Sequence, residues 1–569
     1  MFDVIKVLQQ ISTAPTDQKK FDEWLEMKEI VAFLKTNTRH DEFVLHAVAE
    51  HIYMHSVLVP ALRVNPPEAE DLLKWHCNAS SSWGVSITFS EPPTICLSPS
   101  LEGTGSKTLD GGEQLVFARK FDGRIGQKNY YELLQKFIHT TETHFVPERN
   151  AYCRLDKRGD IEDIVRIVEV PNGRIGATVI TVKRAVLDEY LALTDLAVVR
   201  TFDFTFTSSG FSGWSNQHNL KHVNEGDLFY RFHLEPGHAS YMRGCQIVRT
   251  TRPPEAIKKA IIRRHEPWAD DEQEYASFIA QDWRHRAIRE ISCAPGATCN
   301  YFNQNESDLP FELSPAFFRP EVLSKYKSDS EKYHLDGHSI TCRGTWSLRG
   351  YDINKAGQVH AYLCDLRNLP YEEQLHWKLH NERPKAPISD RAFKADFEGS
   401  WDLPYDPLVS LKHALRELNE ERVSWWTLRS EKLIGQVHYP VTSSADEWAN
   451  EILQLDQLVI EGFETKWLRN KAQELGRTTD PQFGSLKLVE ECLIALGFAE
   501  DDAKKALTPL RTTHALRSKL KGHASGKDAL AIKQKALTDY ATYNKHFHAL
   551  CAECDEAIRT IREAFEKLT

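Results

Sequence analysis

Apolar residues recur at helical spacing in the last third of the chain and predict amphipathic helices there. One face of a long helix is formed by six residues that lie three or four positions apart: Trp448, Ile452, Leu455, Val459, Phe463 and Trp467. Ser443, Ser444 and Asp446 are suitable N-caps for this helix, and Gly476 is its expected stop. A shorter helix is expected over residues 485–496, immediately before Gly497.

Two further helices complete an expected bundle over residues 401–569. Thr508 and Pro509 have the character of an N-cap and a first helical residue, and Gly522 can end that helix in a left-handed turn. A single long last helix is predicted from apolar residues at heptad-like spacing: Leu537, Tyr540, Phe547, Leu550, Cys554, Ile558, Ile561 and Phe565. Amphipathic helices joined by short loops pack as a bundle.

The middle of the chain, residues 126–400, has the short apolar runs and turn residues of a β-rich region. Strands are predicted over five segments: 164–170, 178–182, 197–207, 339–348 and 358–363. Residues Gly350 to Gly357 suit a hairpin connection that ends in a residue tolerant of positive φ. The acidic run from Asp156 to Asp163 contains Arg-Gly-Asp, which favours a turn over a carboxylate metal site. A sandwich or a curled antiparallel sheet is therefore expected, serving as a sensor or regulatory domain.

The first 125 residues are expected to form a mixed helical and β domain. Residues 1–75 read as largely helical, with helices over 20–35 and 42–62. Strands are predicted over 85–89 and 114–118, and a helix over 129–139 at the start of the next region. The predicted fold class is accordingly α+β and multidomain, with a helical N-terminal part, a β-rich centre and a C-terminal helical bundle.

Composition indicates the class of protein and its expected cellular location. The chain has 569 residues, 41% of them hydrophobic and 27% charged, as in ordinary globular proteins. The N-terminal sequence lacks the pattern of a signal peptide, and no run of 18 apolar residues indicates a membrane span. Eleven cysteines, an odd number, do not form a secreted disulfide framework. A cytoplasmic protein with reduced thiols and no membrane partner is expected.

A basic segment stands out from this acidic chain. The formal charge of the whole protein is −10, yet residues 501–535 hold nine Lys or Arg and three Asp, a net charge of +6. Such a segment attracts phosphate, and the attraction weakens as salt rises. It contains Arg511, His514, Arg517, Lys519 and Lys521 on one expected helix, followed by His523. A basic helix face that only solubilises the protein is the alternative.

Within this segment, the string from Arg517 to His523 (Arg-Ser-Lys-Leu-Lys-Gly-His) and the surrounding bundle resemble the HEPN family of helical ribonuclease domains. Members carry an Arg, four to six residues and a His, and a polar residue such as Asn, Asp or His often follows the Arg. Ser518 is a modest departure from that pattern. The resemblance covers residues 445–569 and does not reach the first 400.

The resemblance implies cleavage of RNA without a metal or other cofactor. His523 would act as acid or base, because the ordinary pKa of histidine is about 6.5. Arg517 would position the phosphate and stabilise the developing charge. Arg511, His514, Ser518, Lys519 and Lys521 would help to bind RNA. The family further implies a homo-oligomer and a microbial anti-phage effector that answers a phage-derived or protein trigger.

Other interpretations of the sequence stay open. Arg39 with His46 and Arg231 with His238 have the same spacing, so the Arg-His string alone carries little weight. The end of the helix could be purely structural, in a binding or assembly protein whose bundle mediates oligomerisation. A third alternative is a hydrolase or nuclease site elsewhere in the middle region. No Walker-type phosphate loop and no GxSxG elbow occur in the sequence, which disfavours ATP and serine hydrolysis.

Two further groups of residues have a weak likeness to metal sites. His546, His548, Cys551 and Cys554 have zinc-like spacing, but Cys554 falls on the apolar stripe of the last helix, so a core cysteine is the preferred interpretation. His51 and His55 would lie one turn apart on a helix, without the Glu of a zinc peptidase.

Overall fold

A computed structural model describes residues 4–64, 84–88, 91–98, 113–123, 126–170, 177–215, 220–265, 274–302, 307–400, 405–522 and 527–566. The chain folds into two units: residues 1–156 with 161–273, and residues 157–160 with 274–569. Helices and antiparallel sheets occur in both, and the C-terminal region is helical, so the predicted α+β class is confirmed. The division into three domains at residues 125 and 400 stays a prediction.

The first unit is built on a large antiparallel sheet. Its described helices are α1 (Val4–Ser12), α2 (Gln18–Leu25), α3 (Lys28–Asn37), α4 (Gln135–Thr140), α5 (Arg184–Thr194) and α6 (Pro254–His265). Its described strands are β1 (Glu42–Val48), β2 (Ile52–Pro60), β3 (Gly84–Thr88), β4 (Thr94–Ser98), β5 (Glu113–Gln114), β6 (Val116–Gly123), β7 (Gly126–Leu133), β8 (His144–Val146), β9 (Ala151–Leu155), β10 (Ile161–Val170), β11 (Ala177–Lys183), β12 (Leu196–Thr207), β13 (Lys221–Asn224), β14 (Leu228–Glu235) and β15 (Ala239–Val248).

Eleven of these strands form one sheet in the order β13-β14-β15-β12-β2-β1-β11-β10-β9-β8, with β5 paired to β2. Helices α1 to α3 cover one face, where Leu8 and Leu34 join the same core as Met54 and Phe204. Helices α4 and α5 lie in the core of the opposite face. The strands predicted over 164–170, 178–182 and 197–207 are confirmed as β10, β11 and β12.

The helix predicted over residues 42–62 is wrong, because these residues form β1 and β2. Five of the seven residues of β1 and seven of the nine of β2 are buried, since the sheet is covered on its two faces. Strands of that kind lack alternation and resemble buried helices in sequence. His51 and His55 are therefore not one helical turn apart. The helix predicted over 129–139 is also largely wrong: β7 extends to Leu133, and only α4 is helical.

The second unit joins a smaller β region to the helical bundle. Its described strands are β16 (Ser277–Asp282), β17 (Ala287–Ser292), β18 (Pro315–Phe318), β19 (Tyr333–Leu335), β20 (Ser339–Cys342), β21 (Trp346–Arg349), β22 (Asp352–Ile353), β23 (Val359–Tyr362) and β24 (Asn381–Glu382). Its described helices are α7 (Ser324–Ser328), α8 (Leu363–Leu366), α9 (Tyr371–His380), α10 (Asp390–Phe397), α11 (Pro407–Glu420), α12 (Glu431–Gln436), α13 (Ala445–Val459), α14 (Thr465–Glu474), α15 (Ser485–Ala495), α16 (Glu500–Ala506), α17 (Thr508–Arg517), α18 (Lys527–Tyr540) and α19 (Tyr543–Phe565).

The β region contains a six-stranded sheet, in the order β17-β16-β18-β23-β22 with β24 on β18, and a three-stranded sheet of β19, β20 and β21. The single strand predicted over 339–348 is a hairpin, in which Cys342 pairs with Trp346 across Arg343 and Gly344, both at positive φ. The hairpin predicted across Gly350 to Gly357 is wrong, because β21 and β23 lie in different sheets. β23 pairs instead with β22, and the turn between these two strands contains Gly357 at φ +76°. The predicted turn at Arg-Gly-Asp is confirmed over residues 156–160, between β9 and β10, whereas Ile161 to Asp163 belong to β10.

Most of the predicted boundaries in the bundle are confirmed. Ser444 caps α13 by accepting hydrogen bonds from the backbone N–H groups of Asp446 and Glu447. Gly476 follows α14 and Gly497 follows α15, both at positive φ. Helix α17 begins at Thr508, one residue before the predicted first residue, Pro509. The Thr508 hydroxyl donates to Lys504 O at 3.0 Å and does not cap the helix.

Two helices are shorter than predicted. The apolar stripe from Trp448 to Trp467 is divided between α13 and α14 by a turn at Gly462, where the backbone lies directly against the Trp426 ring. The last helix is likewise divided into α18 and α19, because Ala541 adopts φ +67° and Thr542 caps α19. Apolar periodicity continues across both breaks, since the flanking helices pack into one core. Within the described part of the chain, no helix has the length and apolar character needed to cross a bilayer.

Candidate functional site

Helix α17 carries the predicted basic residues and is anchored in the bundle by its apolar side. Leu510 and Thr513 are buried, and the Thr513 hydroxyl lies 3.4 Å from Cys554 Sγ of α19. After Arg517 the helix widens into a π-helical turn, Ser518–Gly522, in which Leu520 is buried. Such widened turns are frequent at functional sites. The opposite side of α17 faces solvent and presents the basic groups.

His514 is positioned by a carboxylate of the bundle core. Asp456 of α13 is completely buried, and its Oδ1 accepts a hydrogen bond from His514 Nδ1 at 2.9 Å. A carboxylate only accepts, so this contact assigns a proton to Nδ1. The His514 side chain is 49% exposed, and its Nε2 has no hydrogen-bond partner among the described residues. An imidazole fixed at one nitrogen and open to solvent at the other is suited to proton transfer.

Arg517 lies beside the same carboxylate. Its Nε is 3.7 Å from Asp456 Oδ2, and its NH2 is 3.8 Å from Glu461 Oε1 in the turn after α13. Both distances are longer than a hydrogen bond, and Asp456 Oδ2 makes no hydrogen bond to a described residue. The Arg517 side chain is 35% exposed. Arg517 is therefore held near Asp456 by charge while its donors remain available to an anion.

The other predicted residues separate into two groups. Ser518, Lys519 and Lys521 are exposed on the π-helical turn, and neither lysine forms an ion pair with a described residue. Arg511 pairs with the buried Glu490 of α15. Burial acts to raise the pKa of Glu490, but hydrogen bonds from Lys487 and Arg511 lower it overall. Arg511 is thus engaged in a structural ion pair.

His523 lies outside the residues that the structure describes. The two other Arg-His strings belong to the first unit, where His46 is buried in β1 and Arg231 lies on β14. Among the three strings, the one on α17 is associated with a basic helix end in the bundle.

Cys551 and Cys554 are confirmed as core residues, buried on the apolar face of α19. Burial raises the pKa of Cys554 to about 12, so its thiol stays protonated. His546 and His548 pack against aromatic rings of the bundle, Trp448 and Tyr439 respectively. Within the described ranges, no three His, Cys, Asp or Glu side chains are grouped so that they would hold a metal ion.

Asp456 and Glu461 are the site residues that sequence reasoning missed. Asp456 follows Leu455 and lies one helical turn after Ile452, on the buried side of α13. An acidic residue at a buried position of an amphipathic helix needs a partner. Asp456 could therefore have been predicted from its position on the buried side of the helix. No sequence pattern identifies Glu461, since it belongs to the turn that interrupts the apolar stripe.

Comparisons with protein-family models, with curated proteins and with solved structures found no match to this chain.

Proposed function

We propose that this protein is a metal-independent endoribonuclease whose active site lies on the solvent side of α17. The observation that carries the proposal is the cluster of Asp456, His514 and Arg517, which joins an oriented imidazole to an accessible guanidinium. The resemblance to HEPN domains adds His523 as the second histidine of the site. Lys519 and Lys521 supply further positive charge on the adjoining turn.

The chemistry requires two proton transfers and stabilisation of negative charge. The ribose 2′-oxygen forms a bond to the adjacent phosphorus as its proton leaves, and the bond from phosphorus to the 5′-oxygen breaks as that oxygen gains a proton. The products are a 2′,3′-cyclic phosphate and a 5′-hydroxyl. DNA lacks the attacking hydroxyl and is not a substrate.

His514 and His523 divide the two proton transfers in this proposal. The buried carboxylate of Asp456 holds His514 with Nδ1 protonated, which leaves Nε2 to accept a proton from, or return one to, the reacting oxygens. Arg517 binds the phosphate with its planar set of donors and stabilises the charge that develops on the non-bridging oxygens. Arg511 takes no direct part, because Glu490 engages it.

The biological setting follows the resemblance alone. The enzyme would act in the cytoplasm of a microbial cell, as a homo-oligomer, against host or invader RNA during phage infection. The remaining regions of the chain would sense a phage-derived or protein trigger and restrain the nuclease until then.

The decisive experiment measures cleavage of labelled RNA in EDTA by the full chain and four variants. Arg517→Ala, His514→Gln and His523→Ala are each expected to lower the rate by roughly 10²-fold or more, the usual contribution of a general acid, base or oxyanion donor. His413→Ala is the matched control, since His413 is an exposed bundle histidine on α11 that pairs with Glu417. A substrate with 2′-deoxyribose at the cleaved position should resist all five proteins.

The competing outcomes are distinct. Equal cleavage by the wild type and the three site variants would show that α17 does not take part in the reaction and would favour an active site elsewhere in the chain. No cleavage by the wild type, together with stable self-association that depends on the bundle, would favour the assembly protein. Products with a 3′-hydroxyl would contradict attack by the 2′-oxygen.

A further inference from the structure

An aromatic pocket lies in the β region of the second unit, and none of its lining residues belongs to α17. It is an open pocket of about 620 Å³ beside the turn between β16 and β17. Its aromatic walls are Trp283, Tyr301, Phe311, Phe393 and Phe397. Small-molecule sites have volumes of about 300–1,000 Å³ and are lined mostly by apolar and aromatic side chains with a few polar groups. The pocket therefore has the size and the character of a ligand site.

The rings of this pocket support one another in edge-to-face contacts. The Phe397 ring centroid lies 5.0 Å from that of Trp283 and 5.4 Å from that of Tyr301, at interplanar angles of 67° and 75°. Tyr301 makes a similar contact with Phe311 at 5.0 Å. These are favourable geometries for aromatic pairs. The walls are therefore preorganised, and a planar ligand ring would bind without first ordering them.

One ring remains available at the mouth. Phe393 lies nearly parallel to Phe397, with centroids 5.9 Å apart and planes at 26°, and it is 49% exposed. The solvent-facing side of the Phe393 ring is therefore open to stacking by a ligand ring. A ligand ring stacked on Phe393 would be flanked by the ring network described above.

Two arginines line the same pocket. Arg284 lies over the Phe311 ring, with its Cζ 5.2 Å from the centroid, and its Nε is 3.6 Å from Asp308 Oδ1. Arg286 is exposed at φ +52° and forms no ion pair with a described residue. The buried carboxylate of the same turn, Asp282, is already engaged by His285 and Arg289. Arg286 is therefore the cationic group of this turn that is available to bind an anionic ligand.

We propose that this pocket binds a nucleotide, with the base stacked in the aromatic walls and the phosphate at Arg286 and Arg284. A nucleotide combines the planar ring that fits the walls with the anion that complements the two guanidinium groups. Every base has a π-face that can stack on an aromatic side chain, so these walls support binding without selection among bases. The inference is independent of RNA cleavage on α17.

The test is isothermal titration calorimetry of the full chain with AMP, GMP, CMP and UMP. Saturable binding is expected, and Phe393→Ala and Arg286→Ala are each expected to weaken it at least about tenfold. Both side chains are exposed, so neither change removes a core contact. Phe302→Ala is the matched control, because Phe302 is 78% exposed beside Tyr301 but does not line the pocket. It should bind as the wild type does.

Further ligands separate the two halves of the proposed site. Adenosine, which lacks phosphate, should bind more weakly than AMP and lose its dependence on Arg286, and inorganic phosphate should compete poorly because it lacks the ring. Absence of saturable binding by all four nucleotides at millimolar concentration would overturn the proposal. Binding that is lost in Arg517→Ala but retained in Phe393→Ala would place the nucleotide on α17 and overturn it equally.

Discussion

The half-exposed His514 donates a hydrogen bond from Nδ1 to the completely buried Asp456 across 2.9 Å, from α17 to α13. The second oxygen of Asp456 makes no hydrogen bond to a described residue, although Arg517 lies 3.7 Å away. A buried carboxylate with one unsatisfied oxygen is unfavourable for stability. The residue is therefore better explained by what it does for His514 and Arg517 than by its contribution to the fold.

Replacing Asp456 should separate stability from activity. Asp456→Leu fills a similar volume in an apolar core, and its former partners can be hydrated because both are partly exposed. Removing one partner of a buried ion pair is destabilising when the other charge is left buried, but neither His514 nor Arg517 would be. We expect a melting temperature at or above that of the wild type, with RNA cleavage reduced at least about tenfold. A large loss of stability would show that Asp456 is primarily structural.

Asp456→Asn is the companion variant. Its Oδ1 can still accept from His514, while the charge beside Arg517 is lost. Cleavage should fall less than in Asp456→Leu if orientation of His514 is the main role of the residue. The same loss in both variants would assign that role to the charge instead.

Arg511 should behave differently from Arg517. It pairs with Glu490, which is 2% exposed and also contacts Lys487. Arg511→Ala is expected to lower the free energy of unfolding by about 1–3 kcal/mol, the range for breaking a charged hydrogen bond, and to leave cleavage unchanged per folded molecule. Thermal melts and rates measured on the same preparations decide this. If the variant cleaves more slowly but is as stable as the wild type, Arg511 contributes to RNA binding.

The pH dependence gives a second check on that ion pair. The folded-state pKa of Glu490 is below its ordinary value of 4.5, where burial is outweighed by hydrogen bonds from Lys487 and Arg511. The stabilisation is therefore present above about pH 4.5 and is lost as the pH falls through the folded-state pKa. Arg511→Ala should consequently show a weaker loss of stability on acidification than the wild type in the same denaturant titration.

The fold was predictable where one local signal dominated. Ser444, Gly476 and Gly497 are capping residues at ends of amphipathic helices, and the structure places the helix boundaries beside them. The break at Gly462 was not predictable, because it results from the close approach of the Trp426 ring, which is distant in sequence. Strands β1 and β2 were missed for a related reason, since burial on both faces removes the alternation that identifies a strand.

The candidate site was predictable in its basic half only. The cluster of charge and the helix that presents it are visible in residues 508–521. The acidic half comes from α13, more than fifty residues earlier, and the pairing of Asp456 with His514 depends on how two helices pack. Charge composition likewise could not distinguish Arg511 from Arg517, because their partners lie on different helices.

Acid sensitivity is expected in the sheet of the first unit. His55 on β2 is fully buried, and burial, reinforced by the neighbouring His46, lowers its pKa from 6.5 to about 3. The unfolded chain then binds a proton that the folded chain excludes, so stability falls as the pH drops below about 6.5 and continues to fall to about pH 3. Denaturant midpoints at pH 7.5 and 5.0 measure the effect. His55→Phe, which does not titrate, should reduce the difference between the two midpoints, and an unchanged difference would contradict this role.

The turn between α13 and α14 should be intolerant of any side chain at Gly462. A Cβ built there would lie 2.3 Å from Trp426 Nε1 and 2.9 Å from Thr427 O, and Thr427 N donates to Gly462 O at 2.9 Å. The Trp426 ring is buried, so it has no room to withdraw. We expect Gly462→Ala to lower the free energy of unfolding by about 1–3 kcal/mol, as overpacking of a core does.

Gly435→Ala is the matched control, since a Cβ built there meets no atom within 4 Å. Alanine also favours the helical conformation of α12, so this variant should be at least as stable as the wild type in thermal melts. Equal stability of the two variants would mean that the turn can shift away from Trp426, and with it Glu461 beside Arg517.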